Sequence, residues 1–225
     1  MISMQEYEMI KLIDYFLSSG ITESEIWDYK QEWPKNKGEL LKDIICFANT
    51  VHDKDCYLIF GISDSLKVTG MKMPRLKQSD IIDTISHLQF AGDNYPHIKL
   101  QTVLFEGNEL DVLTIKNCDA TPIYLKKDYG KMKKGCIYTR VGDRNTPDKE
   151  NAEVEQIENL WKKRLGLTKP ILYYIYKRMK DKAQWERYEG QYYNIYDPKL
   201  NILIDYDNER PVRPFYSYLM VNYDA

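Results

Sequence analysis

Histidine and cysteine are scarce in this chain: three His and four Cys among 225 residues. His52, His87 and His97 form no His-x-x-x-His pair and no Cys/His cluster, which argues against a histidine-based metal site. Cys46, Cys56, Cys118 and Cys136 are unevenly spaced, lack a Cys-x-x-Cys pair and mostly sit in apolar runs, as reduced thiols packed like small hydrophobes do. Long apolar runs are missing too. Stretches such as residues 57–62 fall far short of the roughly 20 residues that span a bilayer, and the opening MISMQEYEMIKLIDYF carries acids inside its apolar pattern, so neither a membrane helix nor a signal peptide is expected. There is no excess of one charge. Lys and Arg number 32 against 34 Asp and Glu, a net charge of −2, so any contact with nucleic acid must come from a local basic patch. A cytoplasmic protein with no membrane partner is the expectation. Nucleotide signatures are absent as well: residues 130–135 copy the glycine spacing of a phosphate loop, but Cys136-Ile137 stands where Lys-Ser/Thr is required.

The composition that remains is globular, 43% hydrophobic and 29% charged. Residues 4–17 set Met4, Tyr7, Ile10, Ile13 and Phe16 at helical spacing, with Gly20 where a helix ends. Residues 26–30 alternate like a short strand, placing Asp28 and Lys30 on one face. Residues 38–51 carry a broad apolar stripe and predict a largely buried helix, followed by a buried strand over 57–62, a turn at Ser63-Asp64-Ser65 and a short strand at 67–69. A helix is predicted from Ser79 to about Phe90, then a hairpin of 98–105 and 109–116 across Glu106-Gly107-Asn108. Strands at 121–125 and 136–141 and a helix at 151–165 complete a first module, 1–166. The remainder, 167–225, holds 11 of the 19 tyrosines; it predicts a helix at 170–180 and then three alternating segments, the last being FYSYLMVNY.

Glu23, Asp28 and Asp64 are the acids best placed for chemistry, at or near strand ends that adjacent strands would bring together. Clustered carboxylates need a cation to neutralise them, so their convergence would suggest Mg²⁺ or Mn²⁺, which polarises a phosphoryl oxygen and acidifies a bound water. Lys30 would hold a phosphate oxygen or stabilise developing charge. The residues equally admit a plainer reading: Glu23 in a cap, Asp28 and Lys30 as a surface pair worth under about 1 kcal/mol, and Asp64 as a turn former.

The blocks ESEIWDYK, LLKDIICFANT, YLIFGISD with Val68-Thr69-Gly70, and GCIYTRVGDRNTP occur in the order found in the Schlafen AlbA-like domain family, which the chain resembles over roughly residues 5–165. The resemblance implies an α/β module with a mixed β-sheet and flanking helices, here followed by a smaller β-rich C-terminal unit. It implies nucleic-acid binding, RNA or DNA. It further implies a possible metal-dependent endoribonuclease acting on tRNA or other structured RNA, with Glu23, Asp28 and Asp64 as metal ligands and Lys30 beside them. A non-catalytic nucleic-acid- or nucleotide-binding module is the alternative. Two positions depart from the family pattern: Asp28 stands where Glu is usual, and residues 51–55 replace a Gly-Gly turn.

The complementary feature is basic. Between residues 126 and 144 lie Lys126, Lys127, Lys131, Lys133, Lys134, Arg140 and Arg144 against Asp128 and Asp143, a local net of +5. Lysines on a loop neutralise phosphates without reading sequence, and arginines grip them bidentately. Tyr124, Tyr129 and Tyr138 interleave with these bases and are candidates for stacking. A homodimer, whose second copy would supply the other flank of a groove, is compatible with this reading.

Overall fold

A computed structural model describes residues 3–197, 199, 201 and 202. The chain divides into two compact units, Met1–Thr168 and Lys169–Ala225. Among the described residues no helix is long and apolar enough to cross a membrane.

In the first unit, α1 (Met4–Ser18) starts at Ser3, whose Oγ accepts a hydrogen bond from the Glu6 amide at 3.1 Å. Next come β1 (Trp27–Lys30), α2 (Lys37–Ala48), β2 (Cys56–Phe60), α3 (Gln78–Ser86), β3 (Ile98–Phe105) and β4 (Asn108–Ile115). The four strands form one mixed sheet in the order β1-β2-β4-β3, with β1 parallel to β2 and the other pairs antiparallel. Glu106 and Gly107, both at positive φ, make the two-residue turn that returns β3 into β4.

Strand alternation divides the core between the two faces of this sheet. Ile59, Val103, Leu110 and Val112 pack with Trp27 and Tyr29 against Ile13 and Phe16 of α1, and Phe16 stacks on Trp27 with ring centroids 4.1 Å apart. Leu58, Phe60, Leu113 and Ile115 face the other way, toward the apolar stripe of α2 and Ile81 and Ile85 of α3. Since Trp27 and Tyr29 belong to the α1 face, Asp28 and Lys30 belong to the α2 face. That parity decides which helix the acids of β1 meet.

Two short stretches after β4, β5 (Arg140–Val141) and β6 (Arg144–Asn145), form a small hairpin ahead of α4 (Val154–Arg164). The expected strand at 121–125 is not one: only a bridge between Phe90 and Leu125 forms there, and of 136–141 only the last two residues pair as strand. The buried side chain of Asn49 takes the place of a neighbouring strand. Its Oδ1 accepts from the Ile123 amide at 2.7 Å, and its Nδ2 donates to the carbonyls of Ile123 and Tyr138, both at 2.8 Å. Backbone groups that would otherwise need a ladder are thereby satisfied. The expected strand at 67–69 is likewise reduced to a bridge between Ile62 and Val68.

The second unit contains α5 (Ile171–Lys180) and an antiparallel sheet of β7 (Trp185–Tyr188), β8 (Gln191–Asn194) and β9 (Asn201–Ile202), in that order. The expected final segment, FYSYLMVNY, lies outside the described residues.

Candidate nucleic-acid interface

Ser24 organises the entry to β1. Its Oγ accepts from the amides of Ile26 and Trp27, at 3.0 and 3.1 Å, and its own amide donates to the Trp27 carbonyl at 2.9 Å. This tight turn folds Glu23 back so that it bridges Asp28. On the α2 face, Asp28 is buried and its Oδ2 pairs with Lys30 Nζ at 2.8 Å, while its Oδ1 has no hydrogen-bond partner. Burial raises the Asp28 pKa despite the opposing charge of Lys30.

Arg140 closes the cluster from β5. Its side chain is 2% exposed. It donates from Nε to the Ser24 carbonyl at 2.7 Å, from Nη1 to Asn145 Oδ1 at 3.0 Å and from Nη2 to Glu23 Oε2 at 2.9 Å, and it lies 4.7 Å from the centre of the Phe47 ring. Asn145 passes the network to α2 by donating from Nδ2 to Asp43 Oδ1 at 2.8 Å. Burial, reinforced by the charge of Asp28 and opposed by Lys30 and Arg140, pushes the Asp43 pKa up to about 6. The cluster is therefore a knot of three acids and two bases joining α2, β1 and the β5–β6 hairpin.

Asp64 is not part of it. It sits exposed in the turn beyond β2, whereas Glu23 lies before β1; because β1 and β2 run parallel, those positions belong to opposite ends of the strand pair. Among the described residues, no group of three or more His, Cys, Asp or Glu side chains is arranged to hold a metal ion. The orphaned Asp28 Oδ1 is one candidate ligand atom, but Glu23 and Asp28 each already have a cationic partner. This donor set does not fit the three-carboxylate centre that the family resemblance implies.

Arg140 must also be moved from the expected phosphate-binding set. With its guanidinium enclosed and its three nitrogens engaged, it holds the hairpin to β1 instead of facing solvent. Tyr138 is corrected for the same reason. It is buried, its hydroxyl accepts from the Lys133 amide at 2.9 Å and donates to the Asp148 carbonyl at 3.0 Å, so its ring is not available for stacking.

Lys126, Lys127, Lys131, Lys133, Lys134 and Arg144 are all exposed. Their loop has a defined shape. Gly135 donates to the Leu125 carbonyl at 2.8 Å and closes its base, Tyr129 and Met132 bridge across Gly130, and the Met132 side chain is buried in the core. Asp128 receives Lys133 Nζ at 2.9 Å and the Lys134 amide at 2.8 Å, and these hydrogen bonds hold its carboxyl below the usual range. Lys131 Nζ lies 3.5 Å from Asp148 Oδ2. Such exposed pairs contribute at most about 1 kcal/mol, so they yield readily to an incoming phosphate.

Asp43 and Asn145 escaped the sequence reading. Asp43 carried a signal, since it falls at core spacing between Leu40 and Phe47 on α2; Asn145 carried none. The same is true of Lys163, whose buried Nζ donates to the carbonyls of Thr50 and His52 and to Asn117 Oδ1, at 2.8, 2.8 and 2.7 Å.

Residues 23–149 match the family model described as Schlafen, AlbA_2. Two solved structures are similar to the chain. The DIP2311 protein from Corynebacterium diphtheriae shares 20% identity at a TM-score of 0.39, over 64% of this chain and 30% of that one. The N-terminal domain of a RecG-related protein from Nitrosomonas europaea shares 23% identity at a TM-score of 0.39, over 64% of this chain and 94% of that one. The chain thus spans less than a third of the first of these. No curated protein matches.

Proposed function

The chain belongs to the Schlafen AlbA_2 family, and from that premise we propose that its first unit binds RNA or DNA through the loop at residues 126–135, with Arg144 of the adjoining hairpin as a further contact. The observation that carries this reading is the loop itself. Five lysines against one acid stand exposed on a lobe that is pinned at its base and plugged by Met132. A preformed cationic lobe meets the phosphate backbone without first being ordered, and lysine contacts to phosphate give affinity that is independent of sequence and weakened by salt.

Binding without hydrolysis is the form of the function that the acidic residues support. The knot around Asp28 fixes the hairpin relative to β1, and Asp28 and Glu23 are already paired with Lys30 and Arg140. Metal-dependent RNA cleavage at Glu23, Asp28 and Asp64 with Mg²⁺ or Mn²⁺ is the competing reading. It is favoured by the unpartnered Asp28 Oδ1 and disfavoured by the position of Asp64.

Purified protein incubated with tRNA and with single-stranded DNA, in Mn²⁺ or in EDTA, separates the two. The expected result is binding in both buffers, weaker in Mn²⁺ only as far as the cation competes for the phosphates, with the nucleic acid intact. Mn²⁺-dependent cutting that disappears in Glu23→Ala and Asp64→Ala would establish the competing reading. Failure to bind either nucleic acid at low salt would overturn both.

A further inference from the structure

An open groove of about 800 Å³ lies between α3 and the start of β3, clear of the acidic knot. Its volume is within the roughly 300–1,000 Å³ of small-molecule sites. Ile85 and Phe90 form a buried apolar floor, whereas Tyr95 is 50% exposed on the wall, with its ring centroid 5.0 Å from that of exposed His97. Lys126 lines the groove where the cationic loop begins. Groove and loop are stitched together: the Lys126 amide donates to the Gln89 carbonyl at 2.7 Å, and Leu125 bridges Phe90.

We propose that this groove receives an unpaired base of a bound nucleic-acid strand, stacked on Tyr95 with the His97 ring, tilted by 54° to it, against the base's edge, while Lys126 and the lysines that follow it neutralise the flanking phosphates. The inference rests on the proposal of nucleic-acid binding and specifies the strand that is selected. An apolar floor with an aromatic wall suits the flat face of a base, and Ser86 and Gln89 on the lining offer hydrogen-bonding groups to its edge. Lys126, the one lysine or arginine among the described lining residues and the start of the cationic loop, suits a polyanion and disfavours a purely aliphatic ligand. A duplex keeps its bases paired and stacked, so only a single-stranded or looped segment can fill the groove.

The test uses an RNA of about 12 nucleotides, close to the length one binding module covers, carrying a central 2-aminopurine. It is compared with a blunt duplex of the same sequence. Wild-type protein is expected to favour the single strand and to quench its 2-aminopurine emission on binding. Tyr95→Ala combined with His97→Ala should abolish the quenching and weaken single-strand binding by about five- to tenfold, in line with the loss of base stacking, while duplex binding is unchanged. Both side chains are exposed, so the fold should tolerate the change. Ser86→Trp, which fills the groove from an exposed position, should have the same effect. Equal binding of strand and duplex, or variants indistinguishable from wild type, would overturn the groove proposal and leave nucleic-acid binding by the loop standing. Absence of binding to either RNA would overturn the proposal on which it rests.

Discussion

Arg140 Nη2 lies 2.9 Å from Glu23 Oε2, but the two partners are unequally enclosed: the Arg140 side chain is 2% exposed and that of Glu23 42%. Removing either one breaks the same ion pair with different consequences. Arg140→Ala strips donors from the Ser24 carbonyl and Asn145 Oδ1 as well as from Glu23, and should cost about 3 kcal/mol or more, as for other broken buried networks. Glu23→Gln leaves the guanidinium with its other acceptors and should cost about 1 kcal/mol or less. Urea unfolding of the two variants measures the difference; equal costs would mean that Arg140 does not hold the hairpin.

Asp43 should make stability depend on pH. In the folded chain its pKa lies at about 6, against an ordinary 3.8, because burial disfavours the charged form. The folded state therefore binds more protons than the unfolded state between those values. The contribution is fully present below about pH 4 and is lost as pH rises through about 6, on the order of 2–3 kcal/mol. Asp43→Asn keeps the acceptor for Asn145 Nδ2 and cannot ionise. Its unfolding free energy should vary less between pH 4.5 and 7 than that of wild type; an unaltered pH dependence would remove Asp43 as the source.

Asn49→Ala would leave one buried amide and two buried carbonyls without their partner, at a cost of about 3 kcal/mol or more. Asn49→Asp should be worse, since a carboxylate cannot donate to Ile123 and Tyr138 and would bury a charge. Hydrogen exchange gives a local readout: the Ile123 amide should lose protection in the alanine variant, whereas a carboxylate at position 49 can still accept from it. Continued protection in the alanine variant would show that another group takes over.

The main sheet was legible wherever alternation and turn chemistry agreed. The pattern at 26–30 placed Asp28 and Lys30 on one face, and Glu106-Gly107 marked the hairpin that positive φ values now explain. The stretch 121–125 misled because its apolar residues match a strand while both backbone groups of Ile123 at its centre are served by one distant side chain, Asn49. Asp64 misled for a related reason. Proximity to a strand end is readable in sequence, but which end of the parallel pair each acid occupies depends on the register. Arg140 and Lys127 look alike in a basic run, and it is packing against Phe47 together with the bonds to Ser24, Asn145 and Glu23 that separates a buried tether from a surface charge.

Charge on the loop is the most direct test of nucleic-acid binding. Fluorescence anisotropy of a labelled single-stranded RNA, titrated at several salt concentrations, should give a steep salt dependence for the wild type, with log K falling by about 0.7 per phosphate contacted for each decade of salt. In the triple variant Lys127→Ala, Lys131→Ala, Lys134→Ala, all at exposed positions, the slope should shrink by about 2 and low-salt affinity should fall with it. An unchanged slope and affinity in that variant would place the nucleic acid elsewhere on the protein and contradict the role assigned to the loop.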